Sequence, residues 1–397
     1  MKLDMQMLKS RFDSRIALSL LMVFSVSFVL SLFVMQLAAG LLFLLWLFEK
    51  HEERKKSFDR ITAFIIIFGL IRLISIFLSE YPSISYESFY KEGLFYTSAA
   101  AIQFYLKTLN KKSILKIMLV FISGAAIMSL VGSLRFFIDD VERAQAFTSS
   151  YAVFSSYLLA AFSAALFYPK KTKSNTQLSF WSAIYIIILI GIVTSLGRAN
   201  IAIAVLILLS AVLFRQIPFK QIIILGLFFL IGGLIYIYNP PASMVHRVEN
   251  ITQLSDRDII WQGAKKISFE HPVLGYGPRT FHEVFPFKER FADKGIGGWH
   301  NDFLQIYFES GIAGVISFIV LLFVIIKTSF NQLRNKKTDT DFKSLSASVL
   351  ASIIALILSG LFAGFITSVV LSIMFVYLIS FLSRIDFEMS IAQETSN

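Results

Sequence analysis

Residues 16–48, IALSLLMVFSVSFVLSLFVMQLAAGLLFLLWLF, form one apolar run, and the number of times it crosses a membrane decides how the rest of the chain is read. As one helix it would be a rod of about 50 Å, too long for an ordinary span of about 20 residues and short for two. Charge decides what hydropathy leaves open. The preceding tail carries Lys2, Lys9, Arg11 and Arg15, and the segment after the run carries Lys50, Arg54, Lys55, Lys56 and Arg60. Because Lys and Arg collect in cytoplasmic loops, both flanks belong inside and the run crosses twice. No small-residue cleavage site is evident, so the first span is read as uncleaved.

Further apolar runs follow at Ile61 to Ser79, Glu92 to Leu106, Ile114 to Ile138, Thr148 to Tyr168, Phe180 to Leu196, Ala199 to Phe214, Ile222 to Tyr238, Phe303 to Ile326, Leu345 to Ile366 and Thr367 to Leu382. With the first run crossing twice, the inside loops collect Lys107, Lys111, Lys112 and Lys116, then Lys170, Lys171 and Lys173, then Arg215 and Lys220, then Lys327, Arg334, Lys336, Lys337 and Lys343. The short outside loops hold only Lys91 and Arg143. The fold expected is an all-α polytopic membrane protein with about 12 transmembrane helices and one large external loop. About nine helices fall in residues 1–238, the external loop in 239–300, about three helices in 301–383 and a cytoplasmic tail in 384–397.

Composition agrees. Of 397 residues, 56% are hydrophobic and 16% charged, with mean hydropathy +0.70, which excludes an ordinary soluble globular protein. The net charge of +11 is topological and implies no nucleic-acid partner. The absence of cysteine removes thiolate nucleophiles, disulfides and cysteine metal sites together. The histidines other than His300, namely His51, His246, His271 and His282, lack metal-ligand spacing, so no metal site is expected.

The stretch from Asn239 to His300 is too long for a plain connection and is expected to carry its own elements. Ser255 and Asp256 supply N-cap chemistry, and Ile259, Ile260, Ala264 and Ile267 recur with helical spacing as far as Pro272. Gly275, Tyr276, Gly277 and Pro278 read as a turn. Where this loop enters the next span stand His300 and Asn301, followed by Gly311 and Gly314. On one continuous helix Gly311 would lie under His300, about 16 Å deeper, on a face open to another helix or a lipid chain. The alternative is an interfacial histidine above ordinary helix packing. Arg198, at the outer end of a span, and Arg257, in the first turn of the loop helix, are candidates for binding an anion; snorkelling and a solvated loop position are the alternatives. Arg72, Arg135 and Glu309 fit structural ion pairs better than a substrate role.

These residues resemble the O-antigen ligase and polymerase superfamily of bacterial membrane glycan transferases. The resemblance rests on His300-Asn301, nine residues, then Gly311-Ile312-Ala313-Gly314; on Asp256-Arg257 with Trp261; on His271-Pro272-Val273-Leu274-Gly275-Tyr276-Gly277; and on Ser195-Leu196-Gly197-Arg198. It implies a C-type glycosyltransferase fold in the cytoplasmic (inner) membrane, with the site facing the periplasm or cell exterior. It also implies metal-free, cofactor-free transfer of a glycan from undecaprenyl diphosphate to an acceptor hydroxyl. By position, Arg198 and Arg257 match arginines that hold the donor diphosphate, His300 matches the base, and Asn301, Arg279, Gly311 and Gly314 are supporting. Two departures stand out: Arg279 replaces a residue more often small or uncharged, and an extra Leu-Gly separates Ser195 from Arg198.

The implied chemistry suits the inventory, because a diphosphate leaving group needs mainly charge neutralisation and a neutral imidazole can accept the hydroxyl proton. The histidine and glycine spacing favours a ligase acting on lipid A core; a polymerase joining two lipid-linked glycans, and a transporter or flippase of lipid-linked sugars, are the alternatives. Membrane lipids surround the protein in every case. The topology predicts that a cysteine placed at Lys288 reacts with an impermeant maleimide before the membrane is opened. Labelling confined to lysed cells would overturn it.

Overall fold

The first apolar run is two helices. In the computed structural model, which describes residues 2–139, 141–170, 174–238, 245, 257–291 and 297–394, α1 (Lys2–Leu30) and α2 (Leu32–Leu47) meet at Ser31. Ser31 leaves helical geometry with φ −165° and caps α2 by accepting the Val34 N–H at 3.4 Å. The other long helices are α3 (Arg60–Phe77), α4 (Glu87–Thr108), α5 (Lys111–Ile138), α6 (Tyr151–Phe167), α7 (Asn175–Thr194), α8 (Arg198–Leu213) and α9 (Phe219–Tyr238). After a shorter α10 (Arg257–Ile267) come α11 (Asp302–Arg334), α12 (Thr340–Gly360) and α13 (Val369–Glu394). No strand occurs among the described residues.

This is a multi-pass membrane protein. Helices α3, α5, α7, α11, α12 and α13 are long and apolar enough to cross a bilayer, and α1, α2, α6, α8 and α9 contain shorter apolar helices. The expected boundary at residue 383 falls inside α13, which is helical to Glu394. Ser255 and Asp256 lie outside the described residues, but the loop helix they were expected to start is present as α10, with Ile260, Ala264 and Ile267 buried.

The centre of the bundle is α6, buried from Phe154 to Phe167. A helix apolar all round belongs in a core, and its alanines and serines let neighbours approach closely. Against α12, Ser348 donates to the Ala164 carbonyl at 3.0 Å and Ser352 to the Ala160 carbonyl at 2.8 Å. Where α6, α8 and α12 meet, Asn200 donates to Ser155 at 2.7 Å and to Ser156 at 3.2 Å, and accepts from Ser359 at 2.8 Å. That network fixes the start of α8, and therefore Arg198, against the start of α6.

Helix α11 is broken at Gly311, whose φ of 63° and ψ of −164° are accessible essentially to glycine alone. In an unbroken helix the Ile312 and Ala313 N–H groups would donate to the Phe308 and Glu309 carbonyls. Instead Ile312 donates to the Pro272 carbonyl at 2.8 Å and Ala313 to that of Val273 at 3.3 Å. The Phe308 carbonyl accepts from Tyr276 at 2.7 Å and the Glu309 carbonyl from Gly277 at 3.2 Å. Residues 272–277 thus satisfy the backbone groups that the break releases. This corrects the continuous-helix reading. Gly311 is not an open surface beneath His300, because a Cβ there would lie 2.1 Å from the Val273 carbonyl carbon. Gly314, one turn on, is buried beside Ser310 and Ile306 rather than open to a lipid chain.

The same segment is bolted from the side. Glu309, 1% exposed, pairs with Arg72 at 2.9 Å and accepts the Arg279 backbone N–H at 2.7 Å; Arg72 also pairs with Glu92 at 2.9 Å. Around α10 a small core gathers Ile260, Ile267, Phe281, Phe285 and Trp299 against Phe308 of α11, with Trp299 stacked on Phe308 at 3.9 Å. Gly311→Ala is expected to cost about 1–3 kcal/mol or more and to lower Tm in detergent. Gly93→Ala, where a Cβ meets nothing within 4 Å, should leave Tm unchanged or raised. Equal Tm for both variants would contradict the backbone exchange at Gly311.

Candidate active site

A cavity of about 750 Å³ opens where the loop region meets the bundle, and Arg143, Arg198, Arg257 and His300 all line it. Each is delivered by a chain feature close to a helix start. Arg198 is the first residue of α8, after a turn in which Leu196 takes φ 53° and buries its side chain. The inserted Leu-Gly is therefore the turn itself, and it brings Arg198 to the cavity. Arg257 is the first residue of α10; its Nη2 donates to the Phe362 carbonyl at 2.7 Å and its guanidinium lies over the Phe362 ring at 5.5 Å.

His300 precedes α11 with φ 50°, a left-handed conformation that histidine adopts more readily than most residues. Asn301 caps α11, its Oδ1 accepting from the Phe303 and Leu304 N–H groups at 2.9 and 3.1 Å. Its Nδ2 reaches the Leu361 carbonyl at 3.2 Å. One turn along, Gln305 accepts the Trp299 N–H at 3.0 Å and donates to Glu309 at 2.7 Å, so the residues on both sides of the imidazole are held.

Asp302 is the one carboxylate among the described residues lining the cavity, and it is fully engaged. It accepts the Phe365 N–H on both oxygens at 2.9 Å and the Ile366 N–H at 2.9 Å. These bonds fasten the apolar connection between α12 and α13, which carries the carbonyls used by Arg257 and Asn301. The apolar run expected to span Leu345 to Ile366 ends as a helix at Gly360; hydropathy runs on because the connection itself is Leu-Phe-Ala-Gly-Phe-Ile.

The electrostatic balance is strongly positive. Besides three guanidiniums, the cavity takes in the starts of α6, α8, α10, α11 and α13, through Ser150 and Tyr151, Arg198, Arg257, Asn301 and Asp302, and Ser368. Each helix N-terminus carries roughly half a positive charge. The proximity of the cations is visible in their protonation. Enclosure first and Arg257 second hold the His300 imidazole below its usual range, while enclosure and Arg198 lower the proton affinity of Arg257, with Tyr151 opposing. The cavity thus sets a cluster of cations beside a histidine whose proton affinity is lowered.

The structure brings together Arg198, Arg257, His300 and Asn301. It does not bring Arg279 to them: that guanidinium is directed towards Glu92 at 4.0 Å, its backbone is held by Glu309, and it does not line the cavity. Gly311 and Gly314 act through backbone packing, as described above. Arg72 and Glu309 pair with each other, a partnership the sequence did not specify, and Arg135 holds the loop after α5 by donating to the Ala146 carbonyl at 3.0 Å. Arg143, lying over the Tyr151 ring at 4.0 Å, was missed as a site residue. Its signal was a cation in outside loops almost devoid of them.

Residues 183–319, about a third of the chain, match the family model described as O-antigen ligase. That match contains Arg198, Arg257, His300, Gly311 and Gly314, and it supports placing the chain in the O-antigen ligase and polymerase superfamily. No curated protein matches the chain. Because Asp302 fastens the 361–368 connection, Asp302→Ala should expose the Phe365 and Ile366 amides to rapid hydrogen exchange and lower Tm by the cost of about 1–3 kcal/mol per orphaned buried donor. Unchanged protection of both amides would exclude the clamp.

Proposed function

We propose that this chain belongs to the O-antigen ligase and polymerase superfamily and transfers a glycan from undecaprenyl diphosphate to an acceptor sugar hydroxyl at the outer face of the bacterial cytoplasmic membrane. The observation that carries the reading is the convergence of three arginines, several helix N-termini and one histidine on a single cavity whose one carboxylate among the described residues is occupied by backbone amides. A diphosphate matches that field, and membership of the superfamily supports a lipid-linked glycan as its bearer.

In the proposed reaction the acceptor oxygen attacks the anomeric carbon of the donor, the bond from that carbon to the diphosphate oxygen breaks, and undecaprenyl diphosphate departs. His300 takes the hydroxyl proton. Arg198 and Arg257 bear the charge that develops on the leaving oxygens, which is where electrostatic preorganisation contributes most. Displacement in one step inverts the anomeric centre. Lipid A core is the acceptor favoured by the histidine and glycine spacing, with a second lipid-linked glycan the acceptor in a polymerase. The accompanying topology has about 12 crossings, both termini in the cytoplasm and the segment 239–300 outside.

The test uses purified protein in lipid with undecaprenyl-diphosphate glycan and candidate acceptors, following product and bound donor separately. Arg198→Ala and Arg257→Ala should weaken donor binding and transfer severely, and the lysine variants should recover only part, since lysine lacks the planar fork. His300→Ala and His300→Gln should lose roughly 10²-fold to 10⁴-fold in transfer with donor binding near normal.

The pH profile adds a sign. Because enclosure and Arg257 hold the His300 pKa below the usual histidine range, the acidic fall of kcat/KM as the imidazole is protonated should come at lower pH than an ordinary histidine would give. Arg257→Gln removes a neighbouring cation, so the acidic limb should move to higher pH. Near-normal transfer by both His300 variants would remove it as the base, and donor binding without transfer by any form would favour a carrier.

A further inference from the structure

Two segments outside the spans leave large apolar side chains uncovered. The first joins α3 to α4, where Phe77, Leu78, Tyr86, Phe89 and Tyr90 are all exposed. Phe77 meets the Tyr86 and Phe89 rings edge-on, each at 6.1 Å, and Tyr86 stacks on Phe89 at 5.8 Å. The second segment follows α10 directly. There Phe269 is 89% exposed and Val273 62%.

The two segments are stitched together. Ser79 donates to the Tyr276 carbonyl at 2.6 Å, Ser85 to that of Pro278 at 3.1 Å, and the His271 Nε2 lies 3.3 Å from a Glu80 carboxylate oxygen. The same stretch is bonded to α11, since the Pro272 and Val273 carbonyls receive the Ile312 and Ala313 N–H groups. Ile312 begins an outward strip: with Ile316, Ile319 and Phe323 it is exposed at a spacing of four, three and four residues, which keeps one face of the helix outward. On a spanning helix that face meets acyl chains. Main-chain bonds therefore hold residues 272 and 273 beside the start of a lipid-facing strip, and α3, also long and apolar enough to span, ends two residues before Ser79.

The residue types suit that level. Tyrosine and tryptophan collect where hydrocarbon gives way to headgroups, and a lysine there keeps its ammonium in the aqueous layer. Tyr86 and Tyr90 belong to the first segment, with the Lys91 ammonium over the Tyr90 ring at 5.8 Å; exposed Trp261, Lys265 and Lys266 precede Phe269 on α10. Left in water, Phe269 and Val273 would keep apolar surface hydrated that lipid contact removes.

We propose that Phe269 and Val273, with the rings of Phe77, Tyr86 and Phe89, enter the leaflet on this side of the membrane, so that the stretch between α10 and α11 rests on lipid instead of standing in water. The partner is the bilayer interface, and the proposal is independent of the transfer reading. It bears on the site nonetheless. Helix α10 runs from Arg257 to Ile267, two residues before Phe269, so the bilayer surface and the bonds around Gly311 together set the height of that arginine.

The chain has no cysteine, so one nitroxide label at a time can be attached to Phe269→Cys, Val273→Cys and, as a reference within the hydrocarbon, Phe323→Cys. The test uses the full chain in phosphatidylcholine nanodiscs and measures collision of each label with oxygen, which concentrates in lipid, and with a water-soluble nickel chelate. At positions 269 and 273 the ratio of oxygen to nickel collisions should rise well above that of the free label in water and approach that of position 323. High rates with both reagents would place the segment in water. Low rates with both would place it against protein, such as a second copy of the chain. Either result overturns the proposal, and neither touches the transfer reading, which the transfer assay tests by itself.

Discussion

Much of this molecule follows from the requirement that backbone polar groups within a bilayer find partners. An uninterrupted helix meets that requirement internally; a helix broken at Gly311 does not. The two donors and two acceptors set free at Phe308, Glu309, Ile312 and Ala313 are taken up by Pro272, Val273, Tyr276 and Gly277. The exchange works only because Gly275 and Gly311 both lack a Cβ, each of which would otherwise strike the opposite backbone within about 2.5 Å. The result is a loop segment fixed to a span by main-chain bonds, with the ion pair from Arg72 to Glu309 behind it. Helix α10 and its arginine are held against α11, and so against His300, by that attachment.

The second organising feature is a field assembled from parts that are individually unremarked. A helix start is a modest positive charge, and an arginine at a span end has ordinary explanations. Here several helix starts and three arginines face one space, and the carboxylate nearest them spends its charge on the Phe365 and Ile366 amides. That use of Asp302 does two things. It leaves the cavity positive, and it anchors the connection whose carbonyls orient Arg257 and Asn301. The same enclosure, with Arg257 beside it, holds the His300 imidazole below its usual range. Arg257 and His300 are therefore coupled: changing the arginine alters the imidazole as well as the charge of the cavity.

Much was legible in the sequence because its causes are local. Hydropathy and the placement of Lys and Arg gave the long helices and divided residues 16–48, where Ser31 carries both the break and the cap. Helical spacing gave α10, and residue type singled out Arg198, Arg257 and His300, which share one cavity. What the sequence withheld depends on pairs of segments far apart in the chain. Periodicity assumed α11 to be continuous, since a glycine within an apolar run does not announce a break; only the distant upstream loop at 272–277 makes the break affordable. Hydropathy extended α12 through an apolar connection because it registers apolarity and not the Asp302 carboxylate that satisfies that connection's amides. Arg279, expected to support the site, and Arg143, given no role, follow the same rule: a cation's role is set by what stands opposite it, Glu92 for one and the cavity for the other, and that is decided by packing alone.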